Sequence, residues 1–433
     1  MSSKTRYVQV GCGSRSGMFT KAIVESYGDK TEIVGLCDTN AGRMAVKNAY
    51  LKEHTGKTVP EYRDDRFDEM IAETKPDKVI VTTVDCTHDK YICRAMQLGC
   101  DVVTEKPMTT DETKCRRILE TKAETGRNIQ VTFNYRYAPP RSQLKELLMS
   151  GVIGEVLSVD FAWLLNTSHG ADYFRRWHRR RENSGSLLVH KATHHFDLVN
   201  WWLDDVPEEV FCQASLRYYT PDTAERLGLQ GRADRCRGCP VANKCKFHLD
   251  LESKEGLKNL YLNNEQEDGY FRDRCVFSDE IDIWDNMSVN VRYQKGAVMS
   301  YMLHSYSPWE GYHIAFNGTQ GRLEHMACEN TYISGDGTVP GALTKGNVSI
   351  TLIPAFAQAQ VIEPSVGEGG HGGADPVLLA DVFDPGAQPD PLGRKADQRD
   401  GAYSILTGIA AYRSIDSGKA VHVADLLADA PLG

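Results

Sequence analysis

The chain has 433 residues and a formal net charge of −9 at pH 7. This length exceeds that of one ordinary hydrophobic core, so we expect two domains of unequal size. The acidic balance and the absence of a long basic tract argue against nucleic acid as a partner. No signal peptide or apolar run long enough to span a bilayer occurs, so we expect a cytoplasmic protein without membrane contact, whose twelve cysteines are reduced.

The first forty residues predict a dinucleotide-binding unit. A predicted strand leads into the glycine turn Gly11–Gly17, and a helix and a second strand follow, ending at Asp38. Gly11 permits the tight turn, Gly13 lets the backbone approach a pyrophosphate, and the following helix offers free N–H groups to the phosphates. Asp38 can accept hydrogen bonds from the ribose of NAD and would repel the 2′-phosphate of NADP. NAD is therefore favoured, and Arg43 leaves NADP as the less favoured alternative.

Three further predicted strands, over 78–83, 102–103 and 128–133, alternate with helices over 91–98 and 111–125. This alternation indicates right-handed βαβ crossovers in a parallel sheet, whose strands all present their carboxyl ends at one edge. Ligands bind at that edge. The residues that follow the strands should therefore meet there: Gly11, Asp38, Thr83, Lys106 and Asn134.

Glu105-Lys106-Pro107 follows directly on one of these strands. A lysine at the tip of a buried strand, fixed by the following proline, is well placed to touch a bound cofactor and substrate. An isolated triplet of this kind is also typical of a strand that ends in a surface charge pair before a turn. The glycine turn earlier in the chain favours the functional interpretation.

The first domain is predicted to cover residues 1–135, because Ala138-Pro-Pro140 ends the last strand, and the second domain covers 136–433. Alternating apolar and polar residues over 155–163 and 287–293 predict an antiparallel sheet with one covered face.

An insertion at about 220–280 contains a cysteine cluster. The C-x2-C spacing with a third and a fourth cysteine is typical of structural zinc, although an Fe–S cluster uses similar thiolates. The alternative is a reduced cluster without metal. We expect a bound metal, because several free thiols on a loop invite oxidation. The predicted ligands are Cys236, Cys239, Cys245 and Cys275.

A helical segment places His190, His194 and Asp197 on one face and Lys191 and His195 on another. A lone helical histidine is usually a hydrogen-bonded core or surface residue, and a pair of histidines without a third ligand makes a poor metal site.

The arginine-rich run Arg175–Arg181 directly precedes this segment in an otherwise acidic chain. Guanidinium groups suit bidentate binding of a carboxylate, sulfonate or phosphate. We expect Arg179 and Arg180 to bind an anionic sugar or glycoside. Contact with the cofactor or with another subunit is the alternative.

Motifs spread over nearly the whole chain resemble those of the Gfo/Idh/MocA family of NAD(P)-dependent oxidoreductases. The resemblance implies an α/β Rossmann domain followed by an α+β domain with a large, open, mostly antiparallel sheet, often buried against a second subunit. We therefore expect a homodimer or homotetramer. The motifs are Gly11–Gly17, Asp38, Thr83–His88, Glu105–Pro107, Phe133-Asn134 with Arg136, Gly151–Glu155, Trp177, His194 with Asp197, Asn317–Gly321, His371–Asp375 and Ala410–Ser414.

The resemblance also implies catalytic roles. His194 would take a hydroxyl proton as hydride leaves the same carbon, and Lys106 would polarise that oxygen. The family has an aspartate where this chain has His190, and an imidazole there could act as a second acid or base near neutral pH. The expected contacts to NAD are Gly11, Gly13, Ser14, Arg15, Asp38, Thr83, His88, Glu105, Lys106, Asn134 and Trp177.

Two functions are compatible with the resemblance. The first is an NAD-dependent dehydrogenase that oxidises a ring carbinol, expected at C3, of a sugar or glycoside. The second is a redox-neutral glycoside hydrolase, as in relatives that act on acidic glycosides such as sulfoquinovosides: oxidation, elimination of the aglycone, addition of water, and reduction. We favour the dehydrogenase as the commoner chemistry on this scaffold. The expected substrate contacts are Arg136, Tyr137, Arg179, Arg180, Lys191 and His195.

Overall fold

The computed structural model describes residues 4–331, 348–367, 370–384 and 389–432, with the backbone alone for 330, 331 and 370–372. The side chain of His371 therefore lies outside the described residues. The described part of the chain forms a six-stranded sheet followed by a nine-stranded sheet, which confirms the predicted fold class. No helix within these ranges is long and apolar enough to cross a membrane.

The first sheet is parallel, with helices against both faces. Val79 and Val81 belong to one hydrophobic core, whereas Ile80 between them belongs to a second core, because successive side chains of a strand point to opposite faces. The strands are β1 Thr5–Val10, β2 Thr31–Cys37, β3 Glu61–Tyr62, β4 Lys78–Val81, β5 Asp101–Thr104 and β6 Ile129–Val131. They pair in the order β3-β2-β1-β4-β5-β6.

The helices of this domain are α1 Ser16–Lys21, α2 Ala41–Thr55, α3 Phe67–Thr74, α4 His88–Gln97 and α5 Glu112–Thr125. Helices α2 and α3 were not predicted, and neither was the short strand β3. The buried face of α2 includes Arg43, Lys47 and Asn48, so its apolar periodicity is weak. Its start is nevertheless marked by a capping residue, since the side chain of Asn40 accepts a hydrogen bond from the backbone N–H of Arg43.

The second sheet is open and mostly antiparallel, as expected. Its strands are β7 Val156–Asn166, β8 Pro207–Ser215, β9 Asn286–Tyr293, β10 Val298–Ser307, β11 Trp309–Gly318, β12 Gly321–Thr331, β13 Val348–Pro354, β14 Gln360–Ile362 and β15 Val421–His422. Their order is β14-β13-β12-β11-β7-β10-β9-β8-β15, and β7 pairs with β10 in parallel. Buried and exposed residues alternate along β9 and β10, so one face of the sheet is packed and the other is open.

The remaining helices are α6 Pro139–Met149, α7 Thr167–Arg175, α8 Arg181–Ser184, α9 Leu187–His190, α10 Ala192–Leu203, α11 Pro221–Arg226, α12 Glu255–Leu260, α13 Glu265–Asp268, α14 Gly370–Phe383, α15 Gln398–Ser417 and α16 Val423–Leu427. Helix α15 contacts α10 and β8 in the second domain and α5 and β6 in the first. This helix therefore ties the parallel sheet to the second domain.

Candidate active site

A cleft of about 600 Å³ lies between the carboxyl edge of the parallel sheet and the second domain. Every residue predicted to contact NAD lines it, together with the predicted catalytic residues. Of the predicted substrate contacts, Lys191 lines it. The cofactor residues meet because the carboxyl ends of parallel strands share one edge of the sheet. They are Gly11, Gly13, Ser14, Arg15, Asp38, Thr83, His88, Glu105, Lys106, Asn134 and Trp177, joined by His190 and His194.

The glycine turn between β1 and α1 fits a dinucleotide. Gly11 has a φ of +87°, and a Cβ atom there would lie 2.6 Å from the carbonyl group of Thr82, so no side chain has room. Asp38 follows β2, and its carboxylate accepts hydrogen bonds from the backbone N–H groups of Cys12 and Asn40. The turn can thus present N–H groups to a pyrophosphate while Asp38 lies where a ribose would bind.

Lys106 is held inside the cleft, where its Nζ donates a hydrogen bond to the backbone oxygen of His190 at 3.0 Å. Burial lowers the pKa of Lys106 to about 8, although the charges of Asp85 and Glu105 act in the opposite direction. Glu105 is itself held by Arg15, whose Nε donates to it at 2.6 Å. Lys106 is therefore fixed in position and releases its proton more readily than a surface lysine.

His190 is paired with Asp85, which follows β4. The His190 Nδ1 and Asp85 Oδ2 atoms are 2.5 Å apart. Burial lowers the pKa of His190 and raises the pKa of Asp85, because it disfavours charge on either group. With Nδ1 engaged, Nε2 is the ring nitrogen available to a substrate. The ring of His178 packs against His190 at a centroid distance of 4.2 Å. Asp85 lies in the Thr83–His88 motif and His178 in the arginine-rich run, but the sequence did not pair either of them with His190.

The single helix predicted through the histidine segment is interrupted, so the prediction of one helical face was wrong. Helix α9 ends at His190 and α10 begins at Ala192. His190 and His194 both line the cleft, whereas Asp197 pairs with Arg136 at 2.6 Å in the protein interior. A buried carboxylate needs such a partner, which explains why Asp197 points away from the cleft.

His194 lies against Tyr135, with the two rings stacked at a centroid distance of 4.0 Å. Burial raises the pKa of Tyr135, so its hydroxyl keeps its proton at neutral pH. Lys191 donates a hydrogen bond to this hydroxyl at 2.9 Å. His194, Tyr135 and Lys191 therefore form one contiguous group of polar side chains in the cleft.

Three predicted substrate residues lie in the interior, outside the cleft lining. Each of them contacts a neighbouring polar side chain within the protein, and all three are buried. A substrate-binding role is not supported by these positions. Arg136 pairs with Asp197, the Tyr137 hydroxyl donates to Asp381 at 2.9 Å, and His195 Nδ1 lies 2.6 Å from the hydroxyl of Tyr301.

The arginine-rich run contributes to the cleft through a different arginine from the two predicted. Arg179 forms an ion pair with Glu280 at 3.3 Å, and Arg180 forms one with Asp282 at 3.3 Å, both outside the cleft lining. Arg176 instead lines the cleft. The other arginines of the run lie outside the cleft lining, because α7 ends at Arg175 and a turn of 3₁₀ helix over Trp177–Arg179 follows.

The second domain adds polar residues that the sequence did not indicate. The Tyr173 hydroxyl lies 2.9 Å from Nε2 of His169, and Nδ1 of the same ring lies 2.6 Å from Glu310. Burial by itself raises the pKa of Glu310, but His169 and Lys191 lower it overall. These residues line the cleft from α7 and β11. No local motif surrounds Glu310, and only the pairing of distant strands brings it here.

The four predicted metal ligands, Cys236, Cys239, Cys245 and Cys275, line one small cavity in the insertion. The backbone N–H of Leu249 donates to the Cys236 sulfur at 3.3 Å. Nevertheless, no group of three or more His, Cys, Asp or Glu residues in the described ranges is arranged to hold a metal ion. The zinc prediction therefore gains no support, although the cysteines do come together as their spacing indicated.

Comparison with known proteins assigns both domains. Residues 5–133 match an oxidoreductase family's NAD-binding Rossmann fold, and residues 145–423 match that family's C-terminal alpha/beta domain. YteT of Bacillus subtilis, a protein named as an oxidoreductase, is 40% identical over 427 residues, which cover 96% of this chain and 97% of YteT.

Two more distant relatives differ in their named activities. An inositol 2-dehydrogenase of Rubrobacter xylanophilus is 26% identical over 227 residues, covering 51% of this chain and 56% of that protein. Glycosyl hydrolase family 109 protein 1 of Akkermansia muciniphila is 26% identical over 198 residues, covering 43% of this chain and 40% of that protein.

Proposed function

Since the chain belongs to the Gfo/Idh/MocA family of oxidoreductases, with its NAD-binding Rossmann fold, we propose that it oxidises a ring hydroxyl, at C3, of a sugar or glycoside. The observation that supports this most is the meeting of Lys106 and His194 with the glycine turn in one cleft. Bound NAD supplies the hydride acceptor for the carbon that bears the hydroxyl. The similarity to an inositol 2-dehydrogenase supports a polyhydroxylated ring as substrate.

Two side chains handle the hydroxyl proton in this proposal. Lys106 donates a hydrogen bond to the substrate oxygen and stabilises the negative charge that grows on it. His194 accepts the proton as the C–H bond breaks. Stacking on Tyr135 fixes the imidazole ring in place. The two groups thus divide charge stabilisation and proton transfer between them.

A second candidate function, redox-neutral glycoside hydrolysis, is favoured by the pair of His190 and Asp85. A ketone at C3 acidifies the C2 proton, and a base must remove that proton as the aglycone leaves C1. The Nε2 atom of His190 can accept it, because Asp85 engages Nδ1. Water then adds at C1, C2 regains its proton, and the C3 ketone regains its hydride, so no net oxidation occurs. The similarity to a family 109 glycosyl hydrolase supports this alternative.

The substrate in our proposal carries an anionic group. Arg176 and Lys191 both line the cleft and offer cationic donors to a carboxylate or sulfonate. They take the place of Arg179 and Arg180, which are engaged outside it.

We also propose a homodimer or homotetramer located in the cytoplasm. Met302 and Met326 are 45% and 41% exposed, and strand pairing puts both on the open face of the nine-stranded sheet. An exposed apolar face of this kind suits burial against a second copy. The cysteines of the described residues form no disulfide bond, a state that a reducing compartment maintains.

The function can be tested by incubating the purified protein with NAD and with neutral and acidic inositols, sugars and aryl glycosides. NADH absorbance and aglycone release are followed together. Net NADH with an oxidised product supports the dehydrogenase. Aglycone release with catalytic NAD and no net NADH supports the hydrolase. Turnover that persists undiminished in Lys106→Met would contradict the assignment of the site.

A further inference from the structure

The insertion in the second domain sends a segment across to the cofactor half of the cleft. We call residues 255–270, which contain α12 and α13, the cofactor strap. In sequence the strap lies between β8 and β9 of the nine-stranded sheet. In space, however, Tyr261, Asp268 and Tyr270 line the same cleft as the glycine turn. The strap therefore belongs to one domain by sequence and covers the binding edge of the other.

The strap reaches the backbone groups expected to bind a pyrophosphate. The Tyr261 hydroxyl accepts a hydrogen bond from the backbone N–H of Ser14 at 3.0 Å. The same oxygen would lie 3.5 Å from a Cβ atom built on Gly13. Both residues belong to the turn whose N–H groups suit a pyrophosphate. Tyr261 thus stands directly over that part of the site.

A second set of contacts lies beside Asp38, on the ribose side. The side chain of Asn40 donates to the backbone oxygen of Asn264 at 3.0 Å. Arg43 forms an ion pair with Asp268 at 2.8 Å, and the two side chains are only 11% and 16% exposed. The strap and the start of α2 are therefore joined at the place where the adenosine half of NAD would bind.

The strap is also anchored at its base. Arg235 bridges Glu265 in the strap and the buried Asp273 beyond it, with a distance of 2.7 Å to Asp273. Arg272 pairs with Asp172 of α7 at 2.7 Å. These ion pairs hold the strap to the second domain at its base. Movement of the strap away from the first domain would break its contacts with Ser14, Asn40 and Arg43.

We infer that the cofactor strap closes over bound NAD and retains it through successive turnovers. Release of the dinucleotide requires the strap to separate from Ser14, Asn40 and Arg43, and separation breaks the close ion pair of Arg43 with Asp268, leaving Arg43 only the more distant Asp38 at 4.0 Å. Retention suits a reaction in which the hydride returns to the substrate. The inference rests on the proposed function in that NAD must be the cofactor, and it favours the redox-neutral candidate, because net dehydrogenation requires NADH to leave after each turnover.

The experiment measures cofactor content and exchange, independently of catalysis. Purified protein is denatured and its released NAD is quantified, and the exchange of bound NAD with isotope-labelled NAD is then followed by rapid gel filtration. We expect close to one NAD per chain and an exchange rate well below the turnover rate. Exchange as fast as turnover would overturn the retention by the strap while leaving NAD binding intact. Failure to bind any NAD would instead overturn the proposed function, and the inference with it.

Variants connect the effect to the strap. Asp268→Ala removes the partner of Arg43, and Tyr261→Phe removes one hydroxyl with little risk to folding. We expect Asp268→Ala to release NAD about tenfold faster and Tyr261→Phe to release it a few-fold faster. The matched control is Gln266→Ala, because Gln266 lies in the strap and its exposed side chain donates to the backbone oxygen of Asn263 within the strap itself. Release that is equally fast in all three variants would contradict the inference.

Discussion

The two halves of the cleft are built from different kinds of chemical group. The cofactor half uses the backbone N–H groups of the glycine turn and the carboxylate of Asp38, fixed by parallel strands. The substrate half uses ionisable side chains bonded to one another, as in the pairs of His190 with Asp85 and of His169 with Glu310. Rigid backbone suits binding, whereas paired ionisable groups suit proton transfer. Changes in the first half should therefore alter affinity, and changes in the second should alter rate.

The largest effect is expected at Lys106, where the two halves meet. Lys106→Met removes the charge that stabilises the developing alkoxide, and we expect kcat to fall by about 10³-fold. The Kd of NAD, measured by titration of intrinsic fluorescence, should change little. A variant whose Kd for NAD rises while its kcat at saturating NAD stays unchanged would contradict the assignment of the two halves.

Asp85→Asn tests the substrate half next. The amide keeps the shape of the carboxyl group but cannot exchange a proton with Nδ1 of His190. In a protein that hydrolyses glycosides, we expect aglycone release to slow by about 10²-fold, while the first burst of NADH in a single turnover remains. Single-turnover absorbance measures both. If the NADH burst is lost as well as aglycone release, the pair of His190 and Asp85 serves oxidation instead of elimination.

The pH dependence should follow Lys106. Its pKa of about 8 means that the ammonium form dominates below pH 8 and is lost above it. Because the proposal needs the charged form, kcat/KM should fall by about tenfold per pH unit above this value. A profile measured with NAD saturating isolates the effect. A rate that rises through this range would identify neutral Lys106 as a base.

In the cofactor half, Asp38→Ala should weaken NAD binding by about 20-fold, because hydrogen bonds to a charged group are lost. At saturating NAD, kcat should stay near that of the wild type. Titration with NAD and NADP, followed by turnover at saturation, separates the two quantities. A fall in kcat with unchanged affinity would contradict the division between halves.

The smallest effect concerns substrate charge. Lys191→Met should raise KM for anionic substrates about fivefold and leave KM for neutral ones unchanged. Arg179→Ala is the matched control, since Arg179 pairs with Glu280 outside the cleft lining. Its KM values should equal those of the wild type. A selective rise in KM for anions in Arg179→Ala would restore the original interpretation of the arginine-rich run.

Much of the first domain could be predicted because its site residues follow the ends of strands, which can be recognised locally in the sequence. Gly11, Asp38, Thr83, Lys106 and Asn134 each come within three residues of the end of a strand, and parallel strands bring such residues to one edge. Helix α2 escaped prediction because charged residues occupy its buried face. In this domain, a position just after a strand therefore predicted site residues more reliably than apolar periodicity predicted helices.

The substrate half could be predicted only in part, because long-range packing builds it. The helix expected through the histidines breaks at Lys191, and this changes which side chains face the cleft. Glu310 carries no local signal of its own, and Asp85 was marked only as part of the Thr83–His88 motif, with no indication that it pairs with His190. Arg176 belongs to the arginine-rich run, but the sequence did not show which arginine of the run would line the cleft. The strap over the glycine turn was likewise expected only as part of an insertion at about 220–280.

The most direct test of the account is a crystal structure of the protein with NAD. We predict the pyrophosphate against the glycine turn between β1 and α1, beneath Tyr261, and the nicotinamide beside Lys106 and His194. Such a complex would place the hydride acceptor where both side chains can reach a substrate hydroxyl. An ordered dinucleotide whose nicotinamide points away from Lys106, or which binds outside this cleft, would contradict the account.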